Sequence, residues 1–256
     1  MNIAIFGDSF ANGETDMGNY LAHCGLTQYL MDDGHFVINF SRQGNTNSAV
    51  IRDYSFHLRQ NGHIEWDMAI VFQTEVFRDG DEWVTYTVGD YKGQEPISVR
   101  DVETTQLKEF YCNLKKSQDI YKTPIYLVGG TADTLSPEVV EECGLKCACQ
   151  SLVNLCVNGD HLIEEPVTDF VFVGIEDWQT RAESMVPDIS IDDKEYFLKL
   201  IQMGENRYKL MGDYRKYFAP SSRGGVSIPT ADHPNRYAYK KLFNHLKSEA
   251  CGGGIV

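Results

Sequence analysis

A doubly wound α/β fold around a parallel sheet is what this sequence predicts, and three observations predict it. Short apolar runs recur at Asn2 to Phe6, Met68 to Thr74 and Pro124 to Val128, the first and last closed by Gly7 and by Gly129-Gly130. Their apolar residues are consecutive rather than alternate, as in strands covered on both faces. Segments with helical spacing lie between them, and strand, helix, strand, helix at this rhythm builds a sheet with helices on either side.

The elements follow in order. Asn2 to Phe6 is the first strand. From Asn19 to Asp33, Tyr20, Leu21, Cys24, Tyr29 and Leu30 keep a helical spacing that stops at Gly34. His35 to Ser41 is the second strand. Asn45 to Gln60 is the second helix, capped at Thr46 or Asn47 and ended by Asn61-Gly62. Met68 to Thr74 is the third strand. In residues 83–92 the stretch Trp83-Val84-Thr85-Tyr86-Thr87-Val88 alternates with period two before Gly89-Asp90, which predicts a small hairpin inserted in a loop. Glu103 to Ile120 is a helix and Pro124 to Val128 the fourth strand. Beyond residue 130 the rhythm loosens into a helix from Ser136 to Cys143, a strand from Leu145 to Gln150, an acidic stretch 158–193 and a helical region from Ile191 to Phe218. A polar loop, 219–235, precedes a last amphipathic helix from Arg236 to Glu249. The whole chain, 1–256, is read as one domain, with 132–220 as a sheet edge plus an acidic, partly helical cap.

Composition narrows the classes of function. The 256 residues carry 37 acids and 23 bases, a formal net charge of −14, and residues 132–195 alone hold 15 acids against 3 bases. That field repels a polyanion and no basic recognition signature offsets it, so no nucleic-acid partner is expected. The basic C-terminal segment reads as a solvated helix face. No apolar run approaches the roughly 18 residues that span a bilayer, and Met1-Asn2-Ile3-Ala4-Ile5-Phe6 lacks the basic and long apolar regions of a secretory signal. A cytoplasmic protein without a membrane partner is the expectation. Seven cysteines are present, and Cys143, Cys147, Cys149 and Cys156 lack the paired spacing of a zinc site. They read as buried free thiols, and neither metal nor organic cofactor is expected.

Ligand sites in such folds lie beyond the carboxyl ends of the strands, where Gly7, Gly44, Gln73 and Gly129 fall. There Phe6-Gly7-Asp8-Ser9-Phe10 lifts a serine to the sheet edge at a helix start, where backbone N–H groups favour developing negative charge. A serine needs a base to become a nucleophile, and histidine is the usual one. Of the seven histidines, His233 in Asp232-His233-Pro234-Asn235 stands out, because it precedes the final helix with Pro234 suited to the first helical position.

On these residues the chain resembles the SGNH (GDSL) hydrolase family, with its blocks in family order across nearly the whole length. The blocks are Gly7-Asp8-Ser9, Gly44 within Ser41-Arg42-Gln43-Gly44-Asn45, Gln73-Thr74-Glu75, and His233 near the end. The resemblance implies a three-layer α/β/α flavodoxin-like sheet, Ser9 as nucleophile and His233 as base. It further implies an oxyanion hole from the N–H groups of Ser9 and Gly44 plus a side-chain amide. Two blocks depart from the pattern. Where the family has Gly-x-Asn-Asp this chain has Gln73-Thr74-Glu75-Val76, and an ionised Glu75 is only an acceptor. Gln73 is the expected replacement donor, with Thr74, a Glu75 held protonated by burial, or a hole of only two donors as alternatives. The family's Asp three residues before the histidine is Thr230 here, leaving Asp232 to orient the ring; otherwise a backbone carbonyl holds it in a Ser–His dyad, or Asp232 caps the helix. Asn45 and Arg78 complete the candidate binding residues, Arg78 pairing with Glu75 or Asp79 or taking a substrate carboxylate. The stretch Gln73 to Asp79 is similar to a divergent SGNH group associated with bacteriophage proteins. The expected substrate is a small or carbohydrate O-acyl ester; the rival expectation is a catalytically impaired protein of this fold that binds a glycan or a protein.

Overall fold

The computed structural model describes residues 1–15, 21–74, 99–130, 132–163, 216–223 and 226–250. Its first half runs β1 (Asn2–Phe6), α1 (Ser9–Asn12), β2 (Glu14–Thr15), β3 (Leu21–His23), α2 (Leu26–Asp32), β4 (Phe36–Asn39), α3 (Asn47–Gln60) and β5 (Met68–Gln73). The second half runs α4 (Val99–Tyr121), β6 (Ile125–Gly129), α5 (Pro137–Glu142), β7 (Lys146–Cys149), α6 (Leu152–Asn158), β8 (Phe218–Arg223), β9 (Val226–Pro234) and α7 (Arg236–Ala250). Five strands form one parallel sheet in the order β4-β1-β5-β6-β7, with Ile3 level with both Val37 and Met68 and Gln73 level with Gly129. The chain leaves β1 toward β4 and then crosses to β5 on the other side, so a crevice opens at the carboxyl ends of β1 and β5.

The consecutive apolar residues feed two separate cores. Ile3 and Ile5 of β1, with Met68, Ile70 and Phe72 of β5, pack against Leu26, Leu30, Tyr239, Leu242 and Leu246. Ala4 and Phe6, with Ala69 and Val71, face the opposite layer of Val50, Tyr54, Leu58, Leu107, Tyr111 and Leu114. Side chains alternate across a strand, so a strand buried on both faces needs apolar residues at every position. The three-layer α/β/α expectation is met in this way.

Several elements differ from the expectation. The helix expected from Asn19 begins only at Leu26, because Leu21–His23 pairs with β2 as β3 and the Gly25 N–H donates to His23 Nδ1 at 3.0 Å. Ladder bonds have taken the backbone groups a longer helix would use. The polar loop expected at 219–235 is replaced by the antiparallel pair β8 and β9, which opens at the fully buried Phe218, the expected end of a helical region whose residues 191–215 lie outside the described ones. The helix expected from Asn45 starts at Asn47, because Thr46 Oγ1 accepts the Ala49 N–H as its cap. The expected hairpin at 83–92 and most of the acidic cap lie outside the described residues. Among the described residues, no helix is long and apolar enough to cross a membrane.

Candidate active site

β1 delivers the serine. Gly7 has φ +150°, and a Cβ there would stand 2.7 Å from the Phe72 Cβ and 2.8 Å from the Ala11 Cβ, so only glycine lets the chain turn this tightly out of the sheet. The next residue, Asp8, is fully buried; its carboxylate accepts the Phe10 N–H at 2.8 Å and its carbonyl accepts the Ala11 N–H at 3.1 Å. This side-chain cap holds Ser9 as the first residue of α1, half-buried at the edge of the crevice.

The antiparallel pair delivers the histidine. In β9, His233 lies opposite Ala219 of β8, and its Nε2 stands 2.9 Å from Ser9 Oγ. The ring also packs against Phe10, with centroids 5.6 Å apart. Past it, Asn235 Oδ1 accepts the N–H groups of Tyr237 at 2.9 Å and Ala238 at 3.3 Å, which makes Asn235 the cap of α7. Pro234 is therefore the last residue of β9 and not the first of the helix. The capping alternative for Asp232 falls with it; Asp232 sits opposite Pro220 in the ladder, and its side chain lies outside the described residues.

Two contacts fasten α7, one to the serine's helix and one to β2 just after it. The fully buried Tyr239 hydroxyl donates to the Phe10 carbonyl at 2.9 Å, and burial pushes its ionisation far up. The Arg236 backbone N–H and Nε donate to Glu14 Oε2 at 2.8 and 2.9 Å. Burial acts to raise the Glu14 carboxyl, but the bonds and charge of Arg236 outweigh it and hold the group below its ordinary value.

The other expected binding residues sit on two further edges. After β4, the Asn45 N–H donates to the Arg42 carbonyl at 3.1 Å and Gly44 has φ +72°, as the third position of a type II turn needs. Asn45 is buried and its amide nitrogen donates to Gly7 O at 3.3 Å and Asp53 Oδ2 at 3.0 Å, so both of its hydrogens serve the protein itself. At the end of β5 the amide of Gln73 is engaged within the protein. Its side chain is fully buried, with Nε2 donating to Asp133 O at 2.6 Å and Oε1 accepting from Tyr111 Oη at 2.5 Å. The amide thus ties the end of β5 to Asp133 and to Tyr111 of α4. Thr74 is also fully buried; Asn47, which sequence reasoning considered only as a cap, grips its N–H at 3.0 Å and its carbonyl at 2.9 Å. Glu75 and Arg78 lie outside the described residues.

Tertiary structure also gathers Cys149, His161 and His245, whose ligand atoms lie within 4.8 Å of one another. No local spacing announces this cluster. His161 Nδ1 accepts the Gln150 N–H at 3.1 Å, which leaves the proton of the neutral ring on Nε2, and His245 Nε2 stands 2.9 Å from the Ala148 carbonyl. Three lone pairs therefore do not converge on one point. Burial raises the Cys149 thiol strongly and that of Cys156 to about 12, so both behave as the buried free thiols expected. Cys143 and Cys147 are only half-buried.

No protein-family profile and no curated protein matches the sequence. Among solved structures the chain is similar to AlinE4, described as an SGNH-hydrolase family esterase, at 19% identity over 73% of this chain and 94% of that one, with a TM-score of 0.39. It is similar to a lipase/acylhydrolase from Enterococcus faecalis at 14% identity over 98% and 95% of the two chains, TM-score 0.38. A third likeness is to the psychrotrophic esterase EstA from Pseudoalteromonas sp., at 14% identity over 77% and 98%, TM-score 0.38.

Proposed function

We propose that the chain is a serine ester hydrolase of SGNH type, acting on an O-acyl ester such as an acetyl group carried by a carbohydrate. The observation that carries this reading is the 2.9 Å contact between Ser9 Oγ and His233 Nε2 at the switch-point crevice. In the proposed reaction His233 takes the Ser9 proton as Oγ bonds to the acyl carbon. The oxyanion collapses, the bond to the alcohol oxygen breaks, and the alcohol leaves with the proton from His233. Water, deprotonated by the same ring, then attacks the acyl-enzyme; the carboxylic acid departs and Ser9 regains its proton. The backbone N–H groups of Ser9, at the start of α1, and of Gly44 are assigned to the oxyanion. Asp232 is assigned to orient the imidazole.

The test uses 4-nitrophenyl acetate and a fluorophosphonate probe on the parent chain, Ser9→Ala and His233→Ala. The parent hydrolyses the ester and takes the label at residue 9; Ser9→Ala does neither while melting at the parent temperature, and His233→Ala loses about 100-fold or more in turnover. Hydrolysis by folded Ser9→Ala at the parent rate would falsify the assignment. One observation favours the second reading, a glycan- or protein-binding module of this fold. Gln73, the residue expected as third oxyanion donor, is fully buried and spends an amide hydrogen on the Asp133 carbonyl. An unlabelled, inactive parent that binds an acetylated glycan would establish it.

A further inference from the structure

We propose that Asp53, outside the crevice, is the positioning residue for the Gly44 edge of the site; this rests on the ester-hydrolase reading. Asp53 lies on α3, and only 5% of it is exposed. Its carboxylate takes Arg42 Nη2 at 2.5 Å on each oxygen, Arg42 Nε at 3.0 Å and the Asn45 amide at 3.0 Å. Arg42 and Asn45 are the first and last residues of the turn that holds Gly44. Both also reach the residue just before Asp8-Ser9: the Arg42 N–H and the Asn45 amide donate to the Gly7 carbonyl at 3.1 and 3.3 Å. One buried carboxylate thus clamps both ends of the turn against the nucleophile's loop.

The middle of the turn stands out from the protein. Gln43 and Gly44 are exposed, and nothing lies within 4 Å of where a Gly44 Cβ would stand. On the far side Asn39 Oδ1 accepts the Ser41 N–H at 2.9 Å while its amide donates to the Ala11 carbonyl at 2.8 Å, which fixes where the turn begins but not where Gly44 points. Burying a carboxylate is costly unless it is fully paired, and among the described residues this one is paired with the first and last residues of the turn, with the exposed Arg52 further off at 3.8 Å. An oxyanion donor must stand about 2.7–3.1 Å from the developing charge, and a displacement of about 1 Å costs on the order of 100-fold. Asp53 therefore acts on the reaction through the Gly44 N–H, without touching substrate.

The experiment compares the parent with Asp53→Asn, Arg42→Lys and Arg52→Ala, normalising rates to the fraction of molecules that the fluorophosphonate labels. Asp53→Asn keeps the shape and loses the charge; Arg42→Lys keeps the charge and loses the fork. Both lower kcat per labelled molecule about 10- to 100-fold with KM within about twofold, and Arg52→Ala stays at the parent value. If either folded variant has the parent kcat per labelled molecule and only fewer active molecules, Asp53 is structural and the inference is overturned. Arg42→Lys keeps the test decisive should Asp53→Asn not fold. A parent that neither labels nor turns over removes the hydrolase reading itself, and this inference with it.

Discussion

Ser9 is placed by bonds to its sequence neighbours, whereas His233 is placed by bonds that cross most of the chain. The serine's turn depends on Asp8, whose carboxylate accepts an N–H two residues on, and on Gly7 lying against Phe72 in the middle of the sheet. The histidine rides on an antiparallel pair outside the main sheet, and the arm made of that pair and the α7 that follows is tied back through α7, by Tyr239 to Phe10 across 229 positions and by Arg236 to Glu14 across 222. The difference teaches that damage to the first region should appear as lost stability, while damage to the second should appear as a misaligned base in a folded protein.

The largest effect expected is on the arm. If Asp232 orients the imidazole as proposed, Asp232→Asn lowers kcat by about 10,000-fold at an unchanged melting temperature. A fall of less than about tenfold would leave Ser9 and His233 working as a dyad. Steady-state kinetics with 4-nitrophenyl acetate decides between them.

Within the sheet region the order reverses. Gln73→Ala leaves the Tyr111 hydroxyl and the Asp133 carbonyl without their buried partner, and is expected to cost about 2–4 kcal/mol in denaturant melts. Turnover per folded molecule changes little. A large kinetic loss at parent stability would return Gln73 to the role of oxyanion donor.

Tyr239→Phe removes the buried hydroxyl through which α7 holds the Phe10 carbonyl and the Gly13 backbone, and keeps the ring. About 1 kcal/mol of stability is expected to go, with a several-fold drop in kcat that exceeds any change in KM. Unchanged kcat would mean that packing alone aligns the arm.

The smallest effect is expected at the rim of the same arm and depends on pH. Glu14 has a folded-state pKa below its ordinary 4.5. It therefore contributes stability that is present above that value and lost as the pH falls through the folded pKa. The pair is partly exposed, so Glu14→Gln costs only about 0.5 kcal/mol at neutral pH. In acid below the folded pKa the variant and the parent should melt together; equal destabilisation at both pH values would assign the effect to packing.

Which parts of this were legible in the sequence follows from the range of the forces involved. Consecutive apolar residues in β1 and β5 announce strands covered on both faces, since each residue reports the burial of its own side, and the serine turn could be read because glycine, cap and nucleophile are adjacent. The histidine was recognisable by its chemistry and its place before a helix, though not the ladder that carries it, where the alternation from Val226 to Ala231 after Gly224-Gly225 was the available signal. Tertiary structure alone decided what each polar group does. Nothing near Gln73 in sequence indicates that Asp133 and Tyr111 take its amide, nothing near Asp53 that it clamps the turn at Gly44, and nothing near Leu21 that a strand forms there. A hydrogen bond depends on a few ångströms of separation and an angle, and those are set only when the sheet brings segments far apart in the chain side by side.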